Sequence, residues 1–159
     1  MKKKFNKNKL ELKEYKSKYK KAFKKLSLEW LNKYGLYEDE DNKILNDPEN
    51  YILNKGGKIY FALYEESIIG TFALIPSKNN VFELAKFAIT TKYQGLGIAN
   101  ILLKKAIEVA KEKNANKIIL YSNSKLKKAY NLYKKFNFKE VNLDKSKYET
   151  ADLKMKLKL

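Results

Sequence analysis

The 159-residue sequence contains no cysteine and no histidine, and each absence excludes a class of chemistry. Without cysteine there can be no disulfide, no thiolate nucleophile and no Cys-type metal site. Without histidine there can be no Ser-His-Asp triad, and a zinc site would need carboxylates alone. We therefore predict no metal centre, and any acid or base catalysis must come from Glu, Asp, Tyr or Lys.

Arginine is also absent, so all 35 basic residues are lysines, and the formal net charge is +17. A charge of this size is typical of proteins that bind nucleic acids or anionic membranes. The lysines are spread along the whole chain, however, and the guanidinium group that best recognises phosphates and guanine edges is missing. We predict a solvated basic surface with weak polyanion affinity and no specific nucleic-acid partner.

Long apolar runs are missing as well. No stretch approaches the length needed to span a membrane, and the N-terminus lacks the apolar segment of a signal peptide. We therefore expect a cytoplasmic protein with no membrane partner. At this length, residues 1–159 are expected to form a single domain.

Hydrophobic periodicity predicts helices in the first third of the chain. Apolar residues recur every three or four positions over residues 10–26 and again over 28–34, which indicates two consecutive helices. The acidic cluster 38–41 has no clear period. We interpret it as a solvated loop, with a collar for a cationic substrate as the alternative. A short helix is predicted over residues 47–53.

The pattern then changes to strands. Three apolar runs separated by turn residues predict three antiparallel strands before residue 90, over residues 59–64, 68–75 and 81–89. The remainder predicts two more helices and three more strands, in this order: a helix from residue 98, a parallel strand 117–121, a helix 125–136, and closing strands 139–143 and 153–159.

The chain is organised around residues 90–101, where a strand, a glycine turn and a helix start follow one another. Gly95 and Gly97 have no Cβ, so a phosphate can approach the backbone N–H groups at the helix N-terminus. A dinucleotide fingerprint needs a third small residue where Asn100 stands, and the Gly-Lys-Ser/Thr of a Walker loop is absent. By itself, this turn is equally compatible with an ordinary connection between a strand and a helix.

Two motifs together resemble the GNAT N-acetyltransferase superfamily. Gln94-x-x-Gly97-x-Ala99 is similar to the family's acetyl-CoA loop, and residues 129–138 are similar to its signature Ala-x-x-Leu-Tyr-x-Lys-x-Gly-Phe, with Asn137 replacing the glycine. The predicted order of elements resembles the GNAT fold over nearly the whole chain. The resemblance implies an α/β (α+β) fold with a mixed, mostly antiparallel central sheet of about six to seven strands. Helices would lie on both faces, and a parallel crossover would follow the glycine loop.

The resemblance also implies acetyl-CoA as the cosubstrate. Backbone N–H groups of the loop would bind the CoA pyrophosphate, and the pantetheine arm would pair with the preceding strand like an added strand. Asn123 and Ser124, at the end of the next strand, would lie near the opposite wall of the cofactor site. The implied cofactor-binding residues are Phe87, Ala88, Ile89, Gln94, Gly95, Leu96, Gly97, Ile98, Ala99, Asn100, Asn123 and Ser124.

Two residues are candidates for catalysis. Tyr133 stands at the position of the family's general-acid tyrosine, where a phenol held close to sulfur could protonate the leaving thiolate. The alternative is a core tyrosine on an inward helix face. Glu83 lies on the strand that leads to the loop, where protein-acetylating members of the family carry a catalytic glutamate. Its alternative role is that of an ion-pair partner for a neighbouring lysine such as Lys86.

The sequence thus predicts an acetyl-CoA-dependent N-acetyltransferase, in which a primary amine attacks the thioester directly in a ternary complex. The acceptor is expected to be an amine-bearing small molecule or a protein or peptide. One alternative is a non-catalytic CoA-binding sensor or interaction module of the same fold, and another is a basic nucleic-acid binder. The acceptor, the acyl-chain length and the oligomeric state, including a homodimer, are left open.

Overall fold

The computed structural model describes residues 4–144 and 148–159. The strands in these ranges are β1 Leu10–Glu14, β2 Lys58–Tyr64, β3 Ser67–Pro76, β4 Val81–Ile89, β5 Lys117–Ser122, β6 Lys139–Val141 and β7 Leu153–Lys158. The α-helices in these ranges are α1 Lys20–Lys33, α2 Asp39–Asn46, α3 Pro48–Tyr51, α4 Ile98–Glu112 and α5 Lys127–Lys135.

The seven described strands form one sheet in the order β1-β2-β3-β4-β5-β7-β6. Strands β1 to β4 are antiparallel neighbours, and β7 lies antiparallel between β5 and β6. Strands β4 and β5 run parallel and are connected through α4, so they form the predicted crossover. The predicted fold class is confirmed: a mostly antiparallel sheet with helices on both faces and a parallel crossover after the glycine loop.

The sheet separates two apolar cores because successive side chains of a strand alternate between its faces. Phe72 and Leu74 of β3 pack in the core that contains the buried face of α4. Ala73 and Ile75 pack in the second core, with Phe23 of α1 and residues of α2. The helices that follow the glycine loop therefore lie on one face, and those that precede β2 lie on the other.

The N-terminal segment differs from the prediction. Residues 10–14 form the edge strand β1 and not a helix, with Leu10 opposite Tyr64 and Leu12 opposite Ala62 of β2. The apolar residues of this segment fit both periods: a strand places Leu10 and Leu12 on one face, and a helix places Leu12 beside Tyr15. Pairing with β2 therefore decides that the segment is a strand. Four antiparallel strands therefore precede the glycine loop, where three were predicted.

One helix, α1, replaces the two helices predicted over residues 10–34. It runs through Ser27, whose hydroxyl donates a hydrogen bond to the Phe23 carbonyl at 2.8 Å. Because this bond satisfies the buried hydroxyl within the helix, Ser27 does not end it. The predicted break at this serine is wrong.

The acidic cluster 38–41 is not a loop, because α2 begins at Asp39. Carboxylates in the first turn of a helix interact favourably with its dipole, and three of them occupy this turn. The helix start carries Asp41 into the protein interior, where it is 2% exposed. The short helix α3 follows as predicted, with the Asp47 side chain accepting a hydrogen bond from the Asn50 N–H at 3.3 Å.

Within residues 4–144 and 148–159, no helix is long and apolar enough to cross a membrane. Over the same residues, no three His, Cys, Asp or Glu side chains are grouped so that they could hold a metal ion.

Candidate active site

The parallel strands β4 and β5 separate near the middle of the sheet and open a cleft. They are paired only over Val81 to Glu83 on β4 and Lys117 to Ile119 on β5. Beyond Glu83, β4 has no partner strand on this side within the described sheet. A cavity of about 700 Å³ lies here, lined by β4, the glycine loop and α5. Its volume is in the range of small-molecule and cofactor sites.

Strand β4 is irregular beside this cavity. Thr71 of β3 pairs with Ala88 and Ala73 pairs with Ala85, so a β-bulge places Lys86 and Phe87 together opposite one residue of β3. Lys86 has a φ of 52°, which is uncommon for a residue other than glycine. The bulge leaves the backbone of Lys86 and Phe87 outside the regular β3 ladder, where both residues line the cavity.

The glycine loop presents a row of backbone donors. The Gln94 N–H donates to the Thr91 carbonyl at 3.2 Å, so the row of free donors begins at Gly95. The six N–H groups from Gly95 to Asn100 have no acceptor among the described residues. Gly95 and Gly97 have φ values of 79° and 84°, in the left-handed region that glycine adopts without strain. Unpaired donors at the start of a 15-residue helix are suited to binding an anion.

A carboxylate from α1 fixes the entry to this loop. Glu29 accepts hydrogen bonds from the Thr90 hydroxyl and the Thr91 N–H, both at 2.9 Å. Burial raises the pKa of Glu29, but the hydrogen bonds from Thr91 and Thr90 lower it more, so the net pKa is below its usual range. On the other side of the loop, the Gln94 amide donates to the Ile89 carbonyl at 2.9 Å. Sequence reasoning missed Glu29, because a contact between residues 61 positions apart leaves no local signal.

The structure brings most of the predicted cofactor-binding residues to the cavity. Residues 87–89 line it from β4, and residues 94–100 line it from the loop, except for Leu96. The Leu96 side chain is exposed at the tip of the loop. Most of the predicted cofactor-binding residues thus lie at these N–H groups and along the unpaired edge of β4, and their contact with CoA stays a prediction.

The opposite wall is held together by hydrogen bonds. Asn123 lines the cavity, and its amide donates to the Thr150 carbonyl at 2.7 Å. Ser124 is not among the lining residues, and its N–H and hydroxyl donate to the Asp152 carboxylate at 2.8 and 2.7 Å. Both side chains therefore serve to build the wall. Their direct contact with CoA stays a prediction.

The candidate base lies where the two parallel strands part. Glu83 is the last β4 residue paired with β5, lines the cavity and is 6% exposed. Its carboxylate accepts a hydrogen bond from the Tyr148 hydroxyl at 3.0 Å. The Lys86 ammonium group, considered above as a partner for Glu83, is hydrogen-bonded to Asp41. The sequence indicates Asp41 only as part of the alternative acidic collar at residues 38–41, and nothing in it identifies Tyr148 as part of this site.

The candidate acid lines the same cavity from α5. Tyr133 is 7% exposed, and its ring packs edge-on against Phe87, with 6.3 Å between ring centroids. It also contacts Phe138 at 5.7 Å. Burial raises the pKa of the Tyr133 hydroxyl above its usual value, so the phenol stays protonated through the physiological range. Within the described residues, this hydroxyl has no hydrogen-bond partner.

Comparisons with known sequences give one family and one named relative. The model of the acetyltransferase (GNAT) family matches residues 21–138, which is more than half of the chain. The chain is also 29% identical over 101 residues to N-acetylaspartate synthetase from Xenopus tropicalis. That match covers 62% of this chain and 37% of the relative, so the chain spans only about a third of the relative's length.

Solved structures show the same fold over almost the whole chain. A GNAT-family acetyltransferase from Staphylococcus aureus Mu50 superposes with a TM-score of 0.84 at 26% identity, covering 94% of this chain and 98% of that one. The PaiA N-acetyltransferase from Thermoplasma acidophilum, solved in complex with coenzyme A, gives a TM-score of 0.75 at 21% identity, covering 94% and 99%. With the family match over residues 21–138, these findings show that the chain belongs to the GNAT acetyltransferase family.

Proposed function

We propose that this protein is an acetyl-CoA-dependent N-acetyltransferase that acts on a primary amine. One observation carries the proposal: a single cavity is lined by residues 95–100 except Leu96, by the unpaired edge of β4, and by both Glu83 and Tyr133. An anion site alone would suit many phosphates. An unpaired strand edge beside it suits a ligand that carries amides as well as phosphates, and CoA is such a ligand.

The CoA pyrophosphate would bind the N–H groups of residues 95–100, where each charge-assisted hydrogen bond contributes about 1.5–3 kcal/mol. The pantetheine arm would then run back along β4 and pair with residues 87–89. Since the Ile89 carbonyl already accepts from Gln94, the arm would use the other backbone groups of this edge. This path directs the thioester toward the part of the cavity lined by Glu83 and Tyr133.

The reaction joins the acceptor nitrogen to the acetyl carbon and breaks the bond between that carbon and sulfur. A base must take a proton from the acceptor ammonium or from the tetrahedral intermediate, and the departing thiolate must gain one. Glu83 is the proposed base, acting directly or through a water molecule. Its place at the parting of β4 and β5 puts it at the end of the path described for the pantetheine arm.

Tyr133 is the proposed acid. Because burial raises the pKa of Tyr133, complete proton transfer to a thiolate whose conjugate acid has a pKa of about 8.5 is unfavourable in isolation. The same apolar surroundings also penalise the thiolate charge, so a hydrogen bond from the phenol stabilises the leaving group as that charge develops. The position of the hydroxyl therefore matters more than its acidity.

The relatives support acetyl transfer to nitrogen without identifying the acceptor. One solved relative is named an N-acetyltransferase and contains coenzyme A, and the curated relative is named for an N-acetylated amino acid. The acceptor of this chain would be an amine-bearing small molecule, a peptide or a protein. The Glu38 and Asp41 carboxylates are hydrogen-bonded within the protein. This weakens the hypothesis that residues 38–41 form a collar for a cationic substrate.

The test is thiol release from acetyl-CoA across a panel of amines, amino acids and peptides, with product masses measured for every acceptor that responds. We expect amine-dependent release and a product heavier by one acetyl group. Tyr133→Phe should lower kcat by about 10²-fold or more while CoA affinity is retained. Tyr51→Phe, at an exposed tyrosine outside the cavity, is the matched control. CoA binding without turnover for any acceptor would favour the sensor alternative.

A further inference from the structure

Three segments at one end of the cavity are tied together by polar contacts: β4, the start of α2 and the segment before β7. Lys86 on β4 is ion-paired and hydrogen-bonded to Asp41 on α2. The other oxygen of Asp41 accepts from the Glu38 N–H at 3.0 Å. The Glu38 carboxylate accepts from the N–H groups of Glu149 and Thr150 at 2.8 and 3.0 Å, and from the Thr150 hydroxyl at 2.7 Å.

Tyr148, in the segment before β7, contacts two residues of β4. Its hydroxyl donates to Oε2 of Glu83 at 3.0 Å, and the Lys86 ammonium lies 5.3 Å from the centre of its ring. The ring is thus held by a cation, while the carboxylate of Glu38 holds the backbone that follows it. We call Glu38, Asp41, Lys86 and Tyr148 the clamp.

The clamp is costly to build. Asp41 is 2% exposed and Lys86 is 6% exposed, and removing such charges from water opposes folding unless they are well paired. Lys86 also holds its unusual positive φ at the bulge. Uncommon backbone conformations persist where the surrounding structure enforces them, and they concentrate at functional sites. The buried ion pair and the unusual backbone of Lys86 both belong to the arrangement in which the Tyr148 hydroxyl donates to the Glu83 carboxylate.

We propose that Tyr148 is a positioning residue that fixes the orientation of the Glu83 carboxylate toward the acceptor nitrogen, and that the rest of the clamp holds Tyr148 in place. A glutamate side chain has three rotatable bonds, so a donor fixed on one oxygen limits rotation of the whole group. Burial, followed by the proximity of Glu83, raises the pKa of Tyr148. The hydroxyl therefore remains a donor throughout the working range of an enzyme.

This inference rests on the proposed function, because it assigns a role within the same reaction. It also gives the acceptor pocket a fixed wall, since Tyr148 and Thr150 both line the cavity. Lys86 directly precedes Phe87 on β4, whereas Glu38, Asp41 and Tyr148 belong neither to the glycine loop nor to residues 87–89. Removal of the Tyr148 hydroxyl should therefore change acceptor turnover and leave CoA binding unchanged.

The test is a double-mutant cycle on acetyl transfer by the full chain. Tyr148→Phe keeps the ring over Lys86 and removes only the hydroxyl, and we expect kcat to fall about 10- to 100-fold. If Tyr148 acts through Glu83, the same change in a Glu83→Gln background should cause no further loss beyond about twofold. CoA affinity from calorimetry should be equal in all four proteins.

Tyr15→Phe is the matched control, because the Tyr15 hydroxyl donates to the Glu49 carboxylate at 2.9 Å away from the cavity. It should leave kcat unchanged. Glu38→Gln weakens the hydrogen bonds from the backbone N–H groups that follow Tyr148. It should also lower kcat, and again only when Glu83 is present. Thermal unfolding of each variant shows whether a loss of turnover comes from loss of the folded state.

The outcomes separate the two proposals. Wild-type kcat in Tyr148→Phe, or a loss that adds fully to that of Glu83→Gln, overturns the positioning role and leaves the proposed function intact. If the wild-type protein binds CoA but acetylates no amine in the panel, the proposed function fails and the positioning role fails with it.

Discussion

Replacing Gly97 by alanine tests the glycine loop as an anion site. Gly97 has a φ of 84°, and a Cβ built there meets no atom within 4 Å, so the substitution creates strain without a clash. A left-handed conformation costs an L-residue roughly 1–2 kcal/mol. The loop can relieve this strain only by moving away from the conformation that aligns the N–H groups of residues 95–100. Misalignment of one charge-assisted hydrogen bond should weaken CoA binding about 10- to 100-fold.

Gly56→Ala is the matched control for this experiment. Gly56 has a φ of 93°, and its added Cβ would lie 3.9 Å from Pro76, which is an ordinary contact. Both variants should lose similar stability in thermal unfolding, but only Gly97→Ala should lose CoA affinity in titration calorimetry. Equal CoA affinity in the two variants would refute the role of the loop backbone.

Further predictions concern stability. Asp41→Asn should destabilise the fold by about 3–5 kcal/mol in urea unfolding, because Lys86 would remain buried without its counter-charge; a cost below about 1 kcal/mol would contradict the pairing. Gly70→Ala should cost about 1–3 kcal/mol, since the new Cβ would lie 2.9 Å from a methyl carbon of Leu102. Glu29→Gln should be less stable than wild type at neutral pH. The folded-state pKa of Glu29 is lowered, so its contribution is complete above the ordinary glutamate pKa and is lost as the pH falls through the folded value. The free energies of unfolding of Glu29→Gln and wild type should therefore converge in acid. A stability difference that stays constant with pH would refute the stabilising role of the Glu29 carboxylate.

Local patterns predicted the elements around the cofactor site. The strand ending at Ile89, the two glycines and the apolar stripe of the following helix are all readable within one short window, and the structure has them in place. Asn137, which stands where the family signature has glycine, adopts the left-handed conformation just after α5, with a φ of 72°. Such features are determined by residues close in sequence, so periodicity and turn chemistry suffice to predict them.

Contacts between distant residues limited the rest of the prediction. The edge strand β1 is decided by pairing with residues about 50 positions away, as in Leu10 opposite Tyr64. The contact between Asp41 and Lys86 spans 45 positions, and that between Tyr148 and Glu83 spans 65. The acidic cluster did carry a usable signal, because several carboxylates in a row are favourable in the first turn of a helix.

A ¹H–¹⁵N spectrum of the protein titrated with CoA shows directly which backbone amides bind the cosubstrate. If CoA binds as proposed, the largest shifts occur at the amides of residues 95–100 and along the unpaired edge of β4, and all of these shifts saturate with one affinity. Shifts dispersed over the lysine-rich surface, with the amides of residues 95–100 unmoved, would contradict this mode of binding.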